Sequence, residues 1–430
     1  MDILLVIIGM FVLLAGGVWI GLSLVGVSAL AMVLFTDRPI TNLMINAIWE
    51  SGASFSLTAL PLFIWMGEIL FRSKLSAALF TGLAPWFAAV PGRLLHTNVV
   101  GCTIFAAISG SSAATCATIG KITIPELRQR GYPEGMIVGS LAGAGTLGLL
   151  IPPSIIMIVY GVAADVSIGK LFVAGVIPGL LLAAMFSGYI ALWSLRYRDA
   201  IPTAASVPSL REKIYASRHL LPTVGLIGLV LGSIYTGIAT ATESAALGTL
   251  GALVLSALQR TLTWPTFRDS LLSATRLTCM IGLILGGAAF LSLGIGLTGI
   301  PRDLAAWVDS LNLSFGMLIF VLALVFIVLG CFLDGISMVV LTIAVLLPLI
   351  QKAGIDPVWF GIFIVLVVEM AQITPPVGFN LFVLQGITGH NIVTLAWHAL
   401  PFFFVMVALV TLVTLVPEIV LWLPTRMIGQ

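Results

Sequence analysis

Of 430 residues, 60% are hydrophobic and only 8% are charged, against roughly 25% charged in an ordinary soluble domain. So few charges cannot cover a soluble fold of this length, and most of the surface must face lipid. The formal net charge of +2 gives no footing for nucleic acid or another polyanion.

In chain order, the first element is "MDILLVIIGMFVLLAGGVWIGLSL", without a basic n-region or a small-residue cleavage site. It reads as a first transmembrane segment rather than a signal peptide. Apolar runs recur at Ile3–Phe35, Ala59–Phe71, Leu171–Leu195, Leu220–Tyr235, Ile281–Ile300, Leu318–Leu333, Val358–Val368 and Ile392–Leu423. At about 20 residues per crossing, they allow on the order of ten to twelve spans. The expected fold class is an all-α polytopic membrane protein. Cys102, Cys116, Cys279 and Cys331 lie in apolar stretches without metal-ligand spacing and read as small buried hydrophobes.

The next signal is "GCTIFAAISGSSAATCATIG" at 101–120. Flanks of 12 residues, Thr97–Ile108 and Ala113–Ile124, are each about 18 Å long as helix, around half of a hydrocarbon core of about 30 Å. A re-entrant hairpin over 97–124, turning at Ser109–Ser112, fits these lengths. A continuous helix that packs through Ser109, Ser112 and Cys116 is the plainer alternative. Next comes "GAGTLGLLIPPS", where a helix breaks around 145–154 because Pro153 lacks an N–H and clashes with the preceding turn.

Residues 196–218 carry five basic side chains (Arg196, Arg198, Arg211, Lys213 and Arg218) against Asp199 and Glu212. This linker separates two hydrophobic halves, 1–195 and 219–430, and by its positive charge belongs in the cytoplasm. No other stretch could form a soluble domain, and no GxxxxGK[ST] loop is present. Energy for any work must come from an ion gradient or from a partner chain.

The second half repeats the first. "GCTIFAAISGSSAAT" is matched by "GCFLDGIS", Pro125 by Pro348, "GYP" by "GIDP", and "LLIPPS" by "QITPPV". The offsets are 229, 223, 224 and 223 residues. A second hairpin is expected over 315–350, turning at Phe332–Gly335, with a second broken helix around 372–380. Repeats with interrupted helices at corresponding places are a mark of secondary transporters.

Non-helical backbone at mid-membrane must be buried in protein or line a polar cavity. A broken helix offers carbonyl oxygens at one half and N–H groups at the other. Carbonyls and hydroxyls suit a hard monovalent cation, and the free N–H groups suit a carboxylate. One sodium site is expected from Ser109, Gly110, Ser111, Ser112, Thr115, Gly145, Thr146, Gly148 and Pro152. A second is expected from Gly330, Asp334, Gly335, Ser337, Gln372, Thr374 and Pro375. The solute would contact Ser111, Ser154, Gly335 and Asn380. Asp334 reads either as an ion ligand or as a helix cap. Glu68, Glu243 and Glu369 also interrupt apolar runs, where interhelical hydrogen bonding competes with transport chemistry. Arg93, Arg276 and Arg302 read as interfacial anchors.

Enzyme chemistry finds no support. "ISGSSA" has no His partner in any motif, since His96, His219, His390 and His398 sit at segment ends. HExxH is absent, and Asp334 has no second Asp in a protease motif. No cofactor is expected beyond Na+ as coupling ion.

"GSSAAT", "DGIS", "IPPS" and "ITPPVGFN", taken in this order, resemble the large membrane subunit of the tripartite ATP-independent periplasmic (TRAP) transporters. "PLFIWMGEIL" (61–70) and "TESAALG" (242–248) are weaker matches. The resemblance spans essentially the whole chain. It implies two inverted structural repeats, with both hairpins in a mobile transport domain that moves as an elevator against a scaffold domain. It implies sodium-driven uptake of a carboxylate such as a C4-dicarboxylate or sialic acid, across the bacterial inner membrane. The implied partners are a small four-helix membrane subunit on a separate chain and a periplasmic substrate-binding protein. The alternative is a stand-alone divalent-anion:sodium symporter of related architecture.

Overall fold

The computed structural model describes residues 2–202, 208–299, 313–330, 333–376 and 378–427, with positions 306, 308, 310 and 311 between them. Among these residues the regular elements are all helical. The first apolar run is split into α1 (Asp2–Ala15) and α2 (Ile20–Phe35). Gly17, at φ +77°, turns the chain between them, a left-handed position that glycine takes without a Cβ penalty. Next come α3 (Ile40–Gly52), α4 (Ala59–Phe71) and α5 (Leu75–Phe87).

α6 (His96–Ser109) and α7 (Ser112–Gln129) pack on each other as the first hairpin. α8 (Glu134–Leu150) and α9 (Ile155–Ala163) form the first broken pair, bent by 41°. α10 (Ile168–Arg196) leads to the linker, which carries α11 (Leu210–Ser217). α12 (Leu221–Tyr235), α13 (Ala241–Leu258) and the 35-residue α14 (Trp264–Thr298) open the second half. The second hairpin is α15 (Phe315–Gly330) with α16 (Gly335–Lys352), and the second broken pair is α17 (Pro357–Gln372) with α18 (Phe379–Thr388). α19 (Ile392–Leu415) and α20 (Glu418–Met427) complete the chain.

Among the described residues four helices, α10, α13, α14 and α19, are long and apolar enough to cross a membrane alone, and up to eight spans result if bent pairs count as one. This is fewer than the ten to twelve that apolar length allows. Much of that length sits in elements that turn back or break part-way.

The helices fall into two packing groups. α14 is flanked by α2, α3 and α4, with α13 on α4 and α12 on α13. Large apolar side chains of this group are exposed, among them Trp19, Trp49, Leu250 and Trp264, as suits a lipid-facing wall. The other group centres on α8 and α17. Every α8 residue from Met136 to Leu150 is buried, as is every α17 residue from Trp359 to Gln372. A helix that is apolar all round belongs in the interior. These two helices lead directly into the two breaks, so the breaks end up at the centre of the protein.

The halves are stitched crosswise. α7 of the first hairpin packs on α8 and on α18, the far piece of the second broken pair. α16 of the second hairpin packs on α17 and on α9, the far piece of the first. Each hairpin thus rests on the near piece of its own repeat and the far piece of the other.

Candidate functional site

The first tip is a two-residue interruption. Gly110, at φ +59°, ends α6 and donates its N–H to the Ala106 carbonyl (3.1 Å). Ser111 caps α7 by accepting from the Ala114 amide (3.4 Å). Ser109 and Thr115 bond through their hydroxyls (2.7 Å), and Ser112 Oγ donates to Asn380 Oδ1 (2.7 Å). Ser109 Oγ also lies within donating distance of the Ser111 carbonyl (3.3 Å), so all three hydroxyls are engaged when Thr115 donates to Ser109, and what they then offer is lone pairs. The tip sits on the first break: the Ile155 amide donates to the Gly110 carbonyl (3.3 Å), and a Cβ at Gly110 would stand 2.8 Å from the Pro153 carbonyl oxygen.

The first break comprises residues 151–154, with a cis peptide between Pro152 and Pro153. It is shorter than the expected 145–154. Gly145, Thr146 and Gly148 lie in continuous α8, because the missing proline donors affect only carbonyls four residues upstream. The two glycines still serve the tip by closeness. A Cβ at Gly148 would stand 2.5 Å from the Ser111 carbonyl oxygen, and one at Gly145 would stand 2.8 Å from the Cys116 Cβ. Ser154 caps α9 from its buried position, and its hydroxyl donates to the Leu149 carbonyl that Pro153 leaves without a helix donor.

At the second tip Asp334 caps α16. Its Oδ2 accepts from the Ile336 and Ser337 amides (3.1 and 3.3 Å), and the Ser337 hydroxyl donates to its Oδ1. Two positions of the expected turn, Cys331 and Phe332, lie outside the described residues. Gly330 abuts Ala371, and Gly335 abuts Val368, Ile156 and the Gln372 side chain. The second break also has a cis peptide, between Pro375 and Pro376. Ahead of it, the Ile373 and Thr374 amides reach back three residues, to Met370 O (3.3 Å) and Ala371 O (3.2 Å).

Both tips and both breaks meet at one cavity of about 350 Å³. The first tip contributes Gly110, Ser111, Ser112 and Ala113; the second, Asp334, Gly335 and Ile336. Leu149 and Ile155 flank one break, Gln372 and Phe379 the other, and Leu277 and Met280 of α14 close the remaining side. Of the expected site residues, Ser111, Ser112, Gly110, Asp334, Gly335 and Gln372 are brought together here. Thr374 and Pro375 instead line an apolar groove against α19. Ser154 and Asn380 are fully buried outside the cavity wall. Asn380 bridges Ser112 to the Ala142 carbonyl (3.5 Å), a tie that no local pattern announces.

Other polar residues resolve plainly. Glu243 forms a capping box with Thr240. Glu68 pairs with Arg72, whose guanidinium also reaches Ser273 on α14 (3.1 Å). Cys102 and Cys116 are buried as expected, whereas Cys279 is exposed on α14, a helix with one face turned outward. Arg302 lies outside the described residues.

Residues 7–419 match the family model described as the tripartite ATP-independent periplasmic transporter, DctM component. The chain is 34% identical over 397 residues to the C4-dicarboxylate TRAP transporter large permease protein DctM of Pseudomonas aeruginosa, covering 92% of both chains. It is 32% identical to the isethionate TRAP transporter permease protein DctMQ of Oleidesulfovibrio alaskensis, covering 97% of this chain and 66% of that one. Among solved structures, its fold resembles the YdaH transporter of Alcanivorax borkumensis, with a TM-score of 0.62 at 15% identity over 92% of this chain and 96% of that one.

Proposed function

The chain belongs to the tripartite ATP-independent periplasmic transporters as a DctM-type large permease, and from that premise we propose that it drives sodium-coupled uptake of a small carboxylate. It is a multi-pass membrane transport protein, not an enzyme. The observation that carries the proposal is the central cavity, where two hairpin tips and two helix breaks converge. The helix N-terminus at Ser111 brings amide dipoles to its edge, and such an end favours an anion, whereas at the other tip the Asp334 carboxylate itself occupies the helix amides and offers a cation its negative charge. Carbonyls upstream of the double prolines lie beside the same tips and suit sodium.

The base of the first hairpin gathers positive charge. Arg93 donates to the linker carbonyl of Pro202, and Arg128 and Arg130 stand at the end of α7. With the basic linker beside them, this end faces the cytoplasm of the bacterial inner membrane. The group of α6–α10 and α15–α20 would then slide against the α14 group as an elevator, carrying the cavity across. A substrate-binding protein would deliver the carboxylate from the periplasm, and a small four-helix subunit on a separate chain would extend the lipid-facing wall.

The test is uptake into liposomes holding this chain, the small subunit and the binding protein, under an inward sodium gradient. Uptake should need all three proteins and should collapse when potassium replaces sodium. Robust uptake by this chain alone would overturn the tripartite reading in favour of a stand-alone symporter. Uptake indifferent to sodium would overturn the coupling.

A further inference from the structure

Three cations lie along the way from the central cavity to the base of the first hairpin. On α7, Ala113 belongs to the cavity wall, and Ala117 and Lys121 follow it at i+4 and i+8. Residues at this spacing share one helix face, and all three are at least partly exposed. On α14, Leu277 and Met280 belong to the opposite wall. Arg276 is exposed four residues before Met280, and Ser273 is four residues before Leu277. Measured from Met280 and Ala113, Arg276 is about 6 Å further out, and Ser273 and Lys121 about 10–12 Å, at 1.5 Å per residue. The two stripes meet at Phe71 of α4. Arg72 donates to the Ser273 hydroxyl (3.1 Å), and its guanidinium carbon is 5.9 Å from the Phe71 ring centroid. The Lys121 ammonium is 6.0 Å from the same centroid.

Arg72 is neutralised by Glu68. Lys121 and Arg276 have no ion pair or hydrogen bond among the described residues. Glu126, the next acid along α7, is paired with Arg130. Asp269 of α14 is about 10 Å from Arg276 along the helix axis. Neither free cation sits at the border of the apolar region. Arg276 is about 18 Å along α14 from the exposed Trp264 that opens the helix, too far for its side chain to snorkel out as an interfacial anchor. Lys121 is about 12 Å short of the end of α7 at Gln129. An Arg or Lys at such depth is costly and as a rule faces a water-filled cavity. Alanine at 113 and 117 keeps the α7 side of that path free of bulk.

We propose that Lys121 and Arg276 form a second anion site, a station that holds the carboxylate solute between the central cavity and the hairpin base. It rests on the carboxylate reading of the cavity. A dicarboxylate can engage both cations at once. Lys121 belongs to the packing group of α8 and α17, and Arg276 to that of α14. Sliding of one group past the other would therefore assemble the station in one position and take it apart in the other.

The test reads charge along the path without transport. Ala117→Cys is placed in the full-length chain freed of its native cysteines, in phosphatidylcholine nanodiscs that supply no anionic headgroup. Its thiol is modified by an anionic (sulfonatoethyl) and a cationic (trimethylammonioethyl) methanethiosulfonate. The ratio of the two rates cancels any change in thiolate fraction. It should exceed the ratio for a free thiol, fall on the order of tenfold when Lys121→Gln and Arg276→Gln are combined, and recover with Lys121→Arg and Arg276→Lys. Each single Gln substitution should lower it about threefold, so a double variant that fails to fold leaves the site testable. Dipotassium succinate should slow the anionic reagent more than potassium chloride of equal ionic strength, and only while both cations are present. A ratio that the Gln substitutions leave unmoved overturns the site and leaves Lys121 and Arg276 as surface charges. Equal slowing by succinate and chloride overturns a bound carboxylate. The readout needs neither sodium nor uptake. Sodium-indifferent uptake beside an anion-selective path would thus overturn the coupling alone, and coupled uptake beside an unselective path would overturn the station alone.

Discussion

Capping by Asp334 can be separated by substitution from the sodium binding proposed for it. Its carboxylate accepts from two amides and one hydroxyl at the head of α16, so its capping is a fact of the fold. Asparagine caps almost as well as aspartate, whereas alanine at such a position costs about 0.5–2 kcal/mol. Asp334→Asn should therefore leave the melting temperature close to wild type, and Asp334→Ala should lower it. If the charge also holds sodium at the second tip, Asp334→Asn raises the sodium concentration for half-maximal uptake despite normal folding. Wild-type sodium dependence in a well-folded Asp334→Asn protein would leave the carboxylate as a cap alone. Gly110 has a simpler constraint. Its left-handed φ costs a residue with a Cβ about 1–2 kcal/mol, and that Cβ would strike the Pro153 carbonyl at 2.8 Å. Gly110→Ala should destabilise by at least that amount in thermal melts.

The hairpin tips and breaks were legible because glycine, serine and proline write them directly. Ser109–Ser112 turned where hydroxyls and Gly110 interrupt the apolar pattern, and each double proline ended a helix. The repeat spacing located the second copy from the first. What local sequence could not reveal was contact at long range. Gly145, Thr146 and Gly148 read as part of a break because glycine marks both flexible backbone and close approach, and here it marks close approach. Asn380 read as a solute contact, yet it sits between Ser112 and Ala142, partners far away in the chain. Two expectations follow for these elements. Gly148→Ala should favour α8 by about 1 kcal/mol on propensity, but its Cβ at 2.5 Å from Ser111 O must displace the tip. Uptake should therefore fall sharply while helix content, read by circular dichroism, holds. A double-mutant cycle of Ser112→Ala and Asn380→Ala should give a coupling of about 0.5–1.5 kcal/mol, the net worth of a hydrogen bond. A coupling near zero would mean that the tie contributes nothing to stability.

Across the whole molecule, the cavity wall is shared between two groups of helices. Met280 belongs to α14, and Ile336 belongs to the second hairpin. A thiol bridge between Met280→Cys and Ile336→Cys, in a background freed of the native cysteines, should stop uptake by locking one group to the other. A bridge between Gly120→Cys and Ile387→Cys joins α7 to α18 inside one group, where a Cβ at Gly120 would stand 3.4 Å from the Ile387 side chain. It should leave uptake largely intact. Equal inhibition by both bridges would count against rigid sliding of one group past the other. The bonds of Arg128 and His390 to Glu134 tie the first hairpin, α8 and the approach to α19 at the base of that hairpin. Being part-exposed, that cluster should contribute only about 0–1 kcal/mol per pair.

The crosswise stitching also sets a timetable for synthesis. Ser112 leaves the ribosome 268 residues before Asn380. At about 5–20 residues per second, the first hairpin must wait on the order of 15–50 s for α18. Until then it has no far wall, and a nascent first half is exposed to quality-control proteases. Cutting the gene within 203–207 and producing the two pieces from one operon should therefore yield working transporter, whereas either piece made alone should be degraded.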